Sequence, residues 1–426
     1  MSESSAKAGK VEKADIVIVG GGLVGATLAL ALTRLYPVAY PRRIVLIEAA
    51  AFSPQAPGTA QQSPSFDTRA TALSESTVDV FQQLGVWPLI KAIAAPISHI
   101  HVSEQGRWGA TRLNAEEQGR EAFGHVALNS GIGQALLQQL ANEPGVELRA
   151  PQRVKRLQPV PEGMDVYGDG DAEPLRAGLV VLADGGRSPL LPSLGIQASV
   201  HPYEQVAIIA NLEPYEAANG RAFERFTDDG AMAILPLCEH QGRPRVALVW
   251  TRPAEDAGRV LQLSDAEFIR ELEVQFGERL GGFRWLGERV AYPLSRQIVR
   301  EQSRHGLVVL GNAAHTLHPI AGQGFNLCMR DAMALATHLQ QRKEGESPGD
   351  AGLLRAYVSG QQTDQLWTAM AGDVLLSVFA SSSRLVSRVR QAGLISLALL
   401  PGLRHRVADF GMGKSPLNAT RQPSQV

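Results

Sequence analysis

The segment DIVIVGGGLVGATLALALTRL near the N-terminus constrains the fold more than any other part of the chain. A β-branched run at 16–19 predicts a buried strand, three glycines follow as Gly20-x-Gly22-x-x-Gly25, and the next residues are typical of an apolar helix. A second apolar run ends in Glu48, 23 residues after Gly25. This order predicts a Rossmann-like unit that binds a dinucleotide through the helix N-terminus and the acid. It leaves the choice between NAD and FAD open.

Two later segments also place small residues directly after a buried strand. LRAGLVVLADGGRS predicts a strand that ends at Leu182 and is followed by Asp184 and Gly185. GNAAHTLHPIAGQGFNL begins at Gly311, after four apolar residues at 307–310, and leads into a predicted amphipathic helix. Small side chains let a backbone approach a flat or phosphorylated group closely, so both segments are predicted to line a ligand site.

Composition and charge exclude several other classes of protein. The 426 residues carry a net charge of −1, which does not favour a nucleic-acid partner. Cys238 and Cys328 have no metal-ligand spacing, as expected of reduced thiols in a cytosolic protein. His315 and His318 lack a third or fourth ligand nearby in the sequence, so no metal site is predicted. The N-terminus lacks the apolar core of a secretory signal, and no apolar run reaches about 18 residues.

The order of the three motifs resembles that of the class A flavoprotein monooxygenases, which have the para-hydroxybenzoate hydroxylase fold. Within that class, FDTRATALS, GRAFERFTDDGAMAILPL and GNAAHTLHPIAGQGFNL are similar to the ubiquinone-biosynthesis hydroxylases. Asn312 stands where the class usually has Asp, and Leu191 where it often has Arg. Both residues resemble the 2-polyprenyl-6-methoxyphenol hydroxylase branch.

The resemblance implies an α/β fold with a Rossmann-like FAD-binding domain, an inserted and mainly antiparallel β substrate domain, and C-terminal helices. The expected boundaries are 14–75, 126–195 and 296–345 for the FAD-binding domain, 76–125 and 196–295 for the substrate domain, 346–412 for the C-terminal helical region, and 1–13 and 413–426 for flexible termini.

The resemblance also implies that FAD is the bound cofactor and assigns residues to it. Three residues of the late loop are expected to position the isoalloxazine ring for catalysis: Pro319, Gly322 and Gly324. The expected cofactor-binding residues are Gly20, Gly22, Gly25, Glu48, Arg69, Asn129, Asp184, Gly185, Gly311, Asn312, Gly322, Gln323, Gly324 and Asn326. Backbone N–H groups before a helix starting at Phe325 are expected to face the pyrimidine side of the ring and stabilise negative charge there.

Alternative roles are open for Arg69, for Asn129 and for the two histidines of the late loop. Arg69 either reaches the cofactor or forms a surface ion pair, with Asp67 as the neighbouring acid. Asn129 is similar to an amide on the adenosine side of FAD and also stands where a helix N-cap would be. A flavin-loop, structural or general-base role is open for His315 and His318.

The predicted function is FAD-dependent hydroxylation of a polyprenylated phenol in ubiquinone biosynthesis. The resemblance implies NADPH or NADH as reductant, O₂ as co-substrate and a flavin C4a-hydroperoxide as hydroxylating species. The alternatives are a non-catalytic prenyl-binding protein of the FAD fold and an FAD-dependent isoprenoid reductase. The expected location is cytoplasmic and peripheral on the inner membrane, because the C-terminal region combines apolar residues with five arginines: Arg384, Arg388, Arg390, Arg404 and Arg406. The alternatives for this region are contact with a partner protein and a capping helix that packs on the core. Other ubiquinone-biosynthesis proteins are further candidate partners.

Overall fold

The computed structural model describes residues 11–35, 43–52, 67–107, 110–170, 173–186, 188–227, 229–319, 322–343 and 345–380. The strands in this part of the chain are β1 (Glu12–Val19), β2 (Ile44–Ile47), β3 (Ala70–Ser74), β4 (Ala95–Pro96), β5 (His99–Glu104), β6 (Ala110–Asn114), β7 (Gly124–Leu128), β8 (Val146–Arg149), β9 (Val154–Val160), β10 (Gly163–Gly168), β11 (Leu175–Leu182), β12 (Ala198–Pro214), β13 (Arg221–Thr227), β14 (Gly230–His240), β15 (Arg243–Pro253), β16 (Phe283–Leu286), β17 (Val290–Val299), β18 (Ser303–Arg304), β19 (Leu307–Val309) and β20 (His315–Thr316).

The α-helices in the same part of the chain are α1 (Leu23–Arg34), α2 (Glu75–Gln83), α3 (Trp87–Lys91), α4 (Asn129–Leu140), α5 (Leu190–Ser193), α6 (Ala254–Gln262), α7 (Asp265–Phe276), α8 (Gln323–Gln340) and α9 (Ala351–Ala380). None of these helices is long and apolar enough to cross a membrane.

The first sheet has eight strands, with the main path β18-β19-β11-β1-β2-β8. Strand β10 pairs with β11, and β9 pairs with β10. Strands β1, β2, β8, β11 and β19 run parallel. Most of their side chains are apolar on both faces, as expected of a covered parallel sheet, and the charged ones lie at the starts of β1 and β11 and on the edge strand β8. Helices α1, α4 and α8 pack on one face around Ile16 and Ile18, and β9, β10 and α5 pack on the other around Val17 and Val19.

The second sheet has nine strands, with the path β20-β17-β12-β15-β14-β13-β5-β6 and with β16 paired to β12. All of its pairs are antiparallel except β13 with β5. Helices α6 and α7 cover one face through Trp250, Phe268 and Phe276. The opposite face, called the inner face here, is turned towards the first sheet, since Asn211 Nδ2 donates to Thr68 O at 3.3 Å and Ala222 packs with Val126.

A small sheet, β3-β7-β4, lies between the two larger ones. The α/β fold class with an inserted, mainly antiparallel sheet is confirmed, and the structure differs from the expected domain limits at two places. Helices α2 and α3 lie within the expected substrate domain, but Phe81 and Trp87 pack into the core of the first sheet. Strand β17 runs past the expected limit at 296, and Ile298 still pairs with Ser199 of β12.

Helix α9 places the start of the expected C-terminal region on the first domain, where Leu354 and Tyr357 are buried against the core that holds α1 and α8. The remainder of that region, the expected flexible terminus at 413–426, residues 1–10 of the other terminus and the five C-terminal arginines lie outside the described residues.

Candidate functional site

The glycine turn after β1 has the close backbone packing that its sequence predicts. Gly20 has a φ of +107°, and a Cβ added there would lie 2.4 Å from the carbonyl oxygen of Ala183. A Cβ at Gly25 would lie 1.9 Å from the carbonyl oxygen of Gly20. Gly22 precedes α1 and no side chain caps that helix, so its first N–H groups can bind a diphosphate. The backbone of the turn can therefore pack this closely only because Gly20 and Gly25 lack side chains.

Glu48 follows β2 and holds the same turn from the side. Its Oε2 accepts a hydrogen bond from the backbone N–H of Gly21 at 2.8 Å, and its Oε1 accepts from Ala50 N at 2.9 Å. Each carboxylate oxygen can accept more than one hydrogen bond, so a ribose hydroxyl can still be bound. Sequence reasoning predicted the ribose contact and missed the bond that fixes the turn.

Asp184 follows β11 directly beside this turn, since β1 and β11 are neighbouring parallel strands. Its Oδ1 is buried and has no hydrogen-bond partner among the described residues. Burial raises the pKa of Asp184 to about 6, against a hydrogen bond with Ser188 that lowers it. Gly185, with a φ of +90°, faces open space. A buried acceptor without a donor fits a cofactor hydroxyl, so Asp184 and Gly185 suit the expected ribityl or phosphate contact.

The loop after β19 is built for close approach of a ligand. Gly311 has a φ of +65°, and a Cβ there would lie 3.1 Å from Val24 Cγ1 in α1. Asn312 is exposed beside it and accepts a long hydrogen bond from Cys328 Sγ at 3.6 Å. The other notable position of the resemblance, Leu191, is a buried residue of α5, where an arginine would not be solvated.

Helix α8 begins at Gln323, two residues earlier than the expected start at Phe325. Gly322 precedes it with a φ of +59°, and no side chain caps the helix. A Cβ on Gly324, in the first turn, would meet no atom within 4 Å. Pro319 is exposed on the same loop. The open space at Gly324 and the uncapped helix start together fit the edge of a flat anionic ring.

The expected cofactor role of the Asn326 side chain does not agree with its contacts. Asn326 is buried, and its Oδ1 accepts from Ser74 N at 2.9 Å and Thr77 Oγ1 at 2.8 Å. Its Nδ2 donates to Ala72 O at 3.0 Å and Gly322 O at 2.9 Å. The amide is fully used within the protein, where it ties the start of α8 to β3 and α2. Gln323, beside it, is also buried.

Arg69 and Asn129 are brought together around Asp67. Arg69 Nε lies 2.5 Å from Asp67 Oδ2, and its guanidinium lies 4.8 Å from the centre of the Tyr292 ring. Asn129 Nδ2 donates to Asp67 Oδ1 at 3.2 Å, and its Oδ1 accepts from Thr71 Oγ1 at 2.6 Å. Leu128 is the N-cap of α4, so the N-cap alternative for Asn129 is wrong. The cluster ties β3 and α4 to β17, and both ion pairing and cofactor contact stay open for Arg69.

The two histidines of the loop have different surroundings. His315 is buried, with Nε2 2.5 Å from Asp331 Oδ2, and Gln365 donates to the same oxygen at 3.0 Å. His318 lies 3.3 Å from Gln205 Oε1, and burial lowers its pKa to about 4. His318 is therefore uncharged near neutral pH and a weak base. Among the described residues, no cluster of three or more His, Cys, Asp or Glu side chains suits a metal ion.

Comparison with known protein families shows to which family this chain belongs. The model of the family described as "FAD binding domain" matches residues 13–363, which include the glycine turn, Asp184 and the start of α8. The chain belongs to the FAD-binding domain family. FAD is therefore the bound cofactor, as predicted, and the residues assigned to it stay predictions.

The sequences of named relatives match this chain along nearly its whole length. Ubiquinone hydroxylase UbiL of Rhodospirillum rubrum is 32% identical over 95% of this chain and 91% of its own. The 3-demethoxyubiquinol 3-hydroxylase of Escherichia coli is 29% identical over 94% of this chain and 98% of its own. The resemblance to ubiquinone-biosynthesis hydroxylases and the prediction of an FAD-dependent monooxygenase are confirmed.

A solved structure shows the same fold. The p-nitrophenol 4-monooxygenase PnpA of Pseudomonas putida superposes with a TM-score of 0.74 and 20% identity, covering 95% of this chain and 99% of that one. At this identity the likeness supports the fold, including the inserted sheet whose inner face is turned towards the first domain.

Proposed function

We propose that this flavoprotein hydroxylates the aromatic ring of a polyprenylated phenol in ubiquinone biosynthesis, with NADPH or NADH as reductant and O₂ as oxidant. The observation that carries the proposal is the similarity, along nearly the full chain, to relatives named as hydroxylases of ubiquinone or its precursors. The 2-polyprenyl-6-methoxyphenol substrate and the ring position belong to the proposal.

When bound, FAD supplies the transfer of a hydride from NAD(P)H and the activation of O₂. The protein contributes binding and charge. The turn at Gly20 and Gly25 and the N-terminus of α1 hold the diphosphate, and Asp184 and Glu48 accept hydrogen bonds from sugar hydroxyls. The uncapped N-terminus of α8 favours negative charge on the ring during reduction.

The inner face of the second sheet suits an aromatic substrate with an apolar tail. Ala231, Ala233, Leu235 and Val249 lie on this face and keep accessible surface although the first domain faces them. Apolar side chains around the reacting ring exclude water, which protects activated oxygen from release as peroxide. The two alternatives, a non-catalytic prenyl-binding protein and an isoprenoid reductase, do not account for the similarity to hydroxylases.

Complementation tests this function. The chain is expressed in an Escherichia coli strain that lacks its 2-polyprenyl-6-methoxyphenol hydroxylase, and quinones are measured by mass spectrometry. Restored ubiquinone supports the proposal and the ring position. Continued accumulation of the precursor, with FAD-loaded protein present in the cells, contradicts it. A Gly324→Val variant, expected to lose FAD, is the inactive control.

We also propose that the protein is cytoplasmic and binds the inner membrane peripherally. Four large apolar side chains are exposed on α9: Leu366, Trp367, Met370 and Val374. An apolar helix face with a tryptophan suits a lipid interface, and arginines further along the chain suit anionic lipids. Contact with other ubiquinone-biosynthesis proteins is a further proposal.

Co-sedimentation with anionic vesicles tests the membrane proposal. Replacing Arg384, Arg388 and Arg390 with Gln is expected to release the protein at low salt without changing FAD content. Leu366→Ser with Trp367→Ser is expected to do the same. Val274→Ser with Trp285→Ser, which alters exposed apolar residues on the other domain, is the matched control. Unchanged sedimentation of both test variants would contradict membrane contact through this region.

A further inference from the structure

Glu224 is a carboxylic acid on the inner face of the second sheet. It lies in β13, paired with Ala233 of β14 and Val102 of β5. Its neighbour Phe223 points to the opposite face, where the centre of its ring lies 5.4 Å from the centre of the Phe276 ring in α7. Because successive side chains of a strand alternate, Glu224 faces the first domain, as Ala222 does. The residue lies in the segment GRAFERFTDDGAMAILPL, but sequence reasoning assigned it no role.

The side chains in the row beside Glu224 are only partly buried. Strand pairing places Glu224, Ala233, Val249 and Ile209 next to one another across four strands. All four keep accessible surface, whereas Ile234, on the outer face, is fully buried under the helices. The face between the two domains is thus the more open one, as expected where a ligand cavity separates them.

This row lies between two places where the sheet meets the loop before α8 or a residue packed beside that loop. On one side, Ala222 and Leu235 pack with Ala72, whose Cβ lies 3.4 Å from the position of a Cβ on Gly322. On the other side, Gln205 of β12 contacts His318. Glu224 is two residues from Ala222, about 7 Å along the strand. The carboxyl therefore lies on the part of the inner face between these two contacts.

The chemistry of Glu224 is unusual for a position among apolar residues. Its side chain forms no hydrogen bond and no ion pair with the described residues. Burial raises its pKa. A desolvated carboxyl without a partner is costly, so such a group is retained where a ligand completes its hydrogen bonds. An uncharged carboxyl can both donate to and accept from a phenol hydroxyl.

We propose that Glu224 binds the ring hydroxyl of the aromatic substrate and thereby orients the ring over the flavin loop. This inference rests on the proposed function and deepens it, because it names the group that recognises a phenol. The apolar row beside Glu224 then contacts the rest of the ring and the first part of the tail. Glu224 is a substrate-binding and positioning residue, and no proton leaves it in this role.

The test compares three variants of the FAD-loaded enzyme with 2-methoxy-6-prenylphenol as probe. Binding is followed by the change in flavin absorbance, and the ratio of hydroxylated product to NAD(P)H consumed is measured. Glu224→Leu is expected to weaken binding about tenfold or more, since it removes a buried hydrogen-bonding partner, and to lower that ratio. Glu224→Gln keeps a neutral donor and acceptor and is expected to stay within about threefold of wild type. Glu239→Leu, at an exposed acid on β14, is the control and is expected to bind normally.

The pH dependence of binding separates this role from a structural one. Wild-type affinity is expected to fall as pH rises through the raised pKa of Glu224, because the ionised form cannot donate. Glu224→Gln is expected to lack this fall. The other charged or titratable groups on this face or at its edges include Glu104 with Arg107, Tyr292 with Arg69 and Asp67, His318, Arg245, and Glu213 with Arg243 and Arg284. They remain in both proteins, so the difference reports Glu224 alone.

Several outcomes overturn the inference. Wild-type affinity in Glu224→Leu, or the same fall with pH in wild type and Glu224→Gln, removes Glu224 from substrate binding. Normal binding with abolished turnover in Glu224→Gln shows a proton-transfer role instead. A wild type that binds the probe but never hydroxylates it contradicts the proposed function, while the binding comparison still decides the role of Glu224. A wild type that does not bind the probe contradicts both.

Discussion

Glu48 Oε2 accepts a hydrogen bond from the backbone N–H of Gly21 at 2.8 Å, joining the end of β2 to the glycine turn after β1. The acid that is expected to bind the ribose also shapes the loop that is expected to bind the diphosphate. A side chain at Gly21 would collide with the Cβ of Glu48 at 2.9 Å, so the bond depends on glycine at that position. The two halves of the dinucleotide site are therefore coupled through one carboxylate.

Glu48→Ala is expected to weaken FAD binding by about 1–2 kcal/mol through the lost ribose bond, with a further loss from the loosened turn. Titration of apo-protein with FAD, followed by flavin fluorescence, measures the change. Glu147→Ala, at a partly exposed acid on the neighbouring strand β8, is the control. Full flavin occupancy of Glu48→Ala at dilute concentration would show that Glu48 does not bind the ribose.

Gly324→Val is expected to give folded protein with little or displaced FAD and no NAD(P)H oxidation. A Cβ there would meet no atom within 4 Å, so the expected loss comes from collision with the ligand. Gly360→Val in α9, where an added Cβ also meets no atom, is expected to bind FAD normally. The flavin absorbance spectrum and activity of the two variants provide the measurement. A normal spectrum and turnover in Gly324→Val would place the flavin ring elsewhere.

Asp184 is expected to make the apo-protein less stable as pH rises from about 4 to about 6. Its folded pKa of about 6 lies above the ordinary value of 3.8, so the folded state binds more protons in this window. The penalty is on the order of 2 kcal/mol and is constant above the window. Urea unfolding at pH 4 and pH 7 should show Asp184→Asn gaining on wild type at the higher pH. An equal difference at both pH values would contradict this cause.

The same substitution should have the opposite effect on cofactor binding. In the loaded protein, a hydroxyl of FAD donates to the carboxylate and offsets its desolvation, so Asp184→Asn is expected to bind FAD more weakly at pH 7. Titration of the two apo-proteins with FAD checks the direction. Tighter FAD binding by Asp184→Asn would show that the unpartnered oxygen does not face the cofactor.

Asn326→Ala is expected to lower the free energy of unfolding by about 2–4 kcal/mol, because it leaves buried partners in β3 and α2 without hydrogen bonds. Loss of the bond to Gly322 should also weaken FAD binding. Asn142→Ala, which removes one exposed bond to Gln138 O, is the control. Urea unfolding measures both variants. A cost equal to that of Asn142→Ala would show that the amide bonds carry little stability.

The sequence predicted the parts of the site that depend on local pattern. A strand followed by glycines and a helix can be recognised within about 30 residues, because each element has its own periodicity. Three such units placed Gly20, Asp184 and Gly311 at one edge of the first sheet. Parallel pairing of β1, β11 and β19 brings them together in the structure.

Contacts between distant segments could not be predicted in the same way. Asn326 bonds Ser74 across 252 positions, and nothing in the local pattern of either segment shows this pairing. Asn129 stands at a helix start, yet its side chain is bonded to Asp67 and Thr71. Glu224 is a charged residue in a strand whose side chains alternate between two faces. The strand register is needed to show that it lies on the face turned towards the first domain.

The most direct measurement is the fate of labelled oxygen during turnover with the prenylated phenol. Purified, FAD-loaded protein is supplied with NADPH or NADH, isotopically labelled O₂ and 2-methoxy-6-prenylphenol, and the products are analysed by mass spectrometry. We expect one labelled oxygen atom on the aromatic ring for each NAD(P)H consumed, with little peroxide. Reduction of the prenyl double bond, or NAD(P)H oxidation that yields only peroxide, would contradict a role as an aromatic hydroxylase.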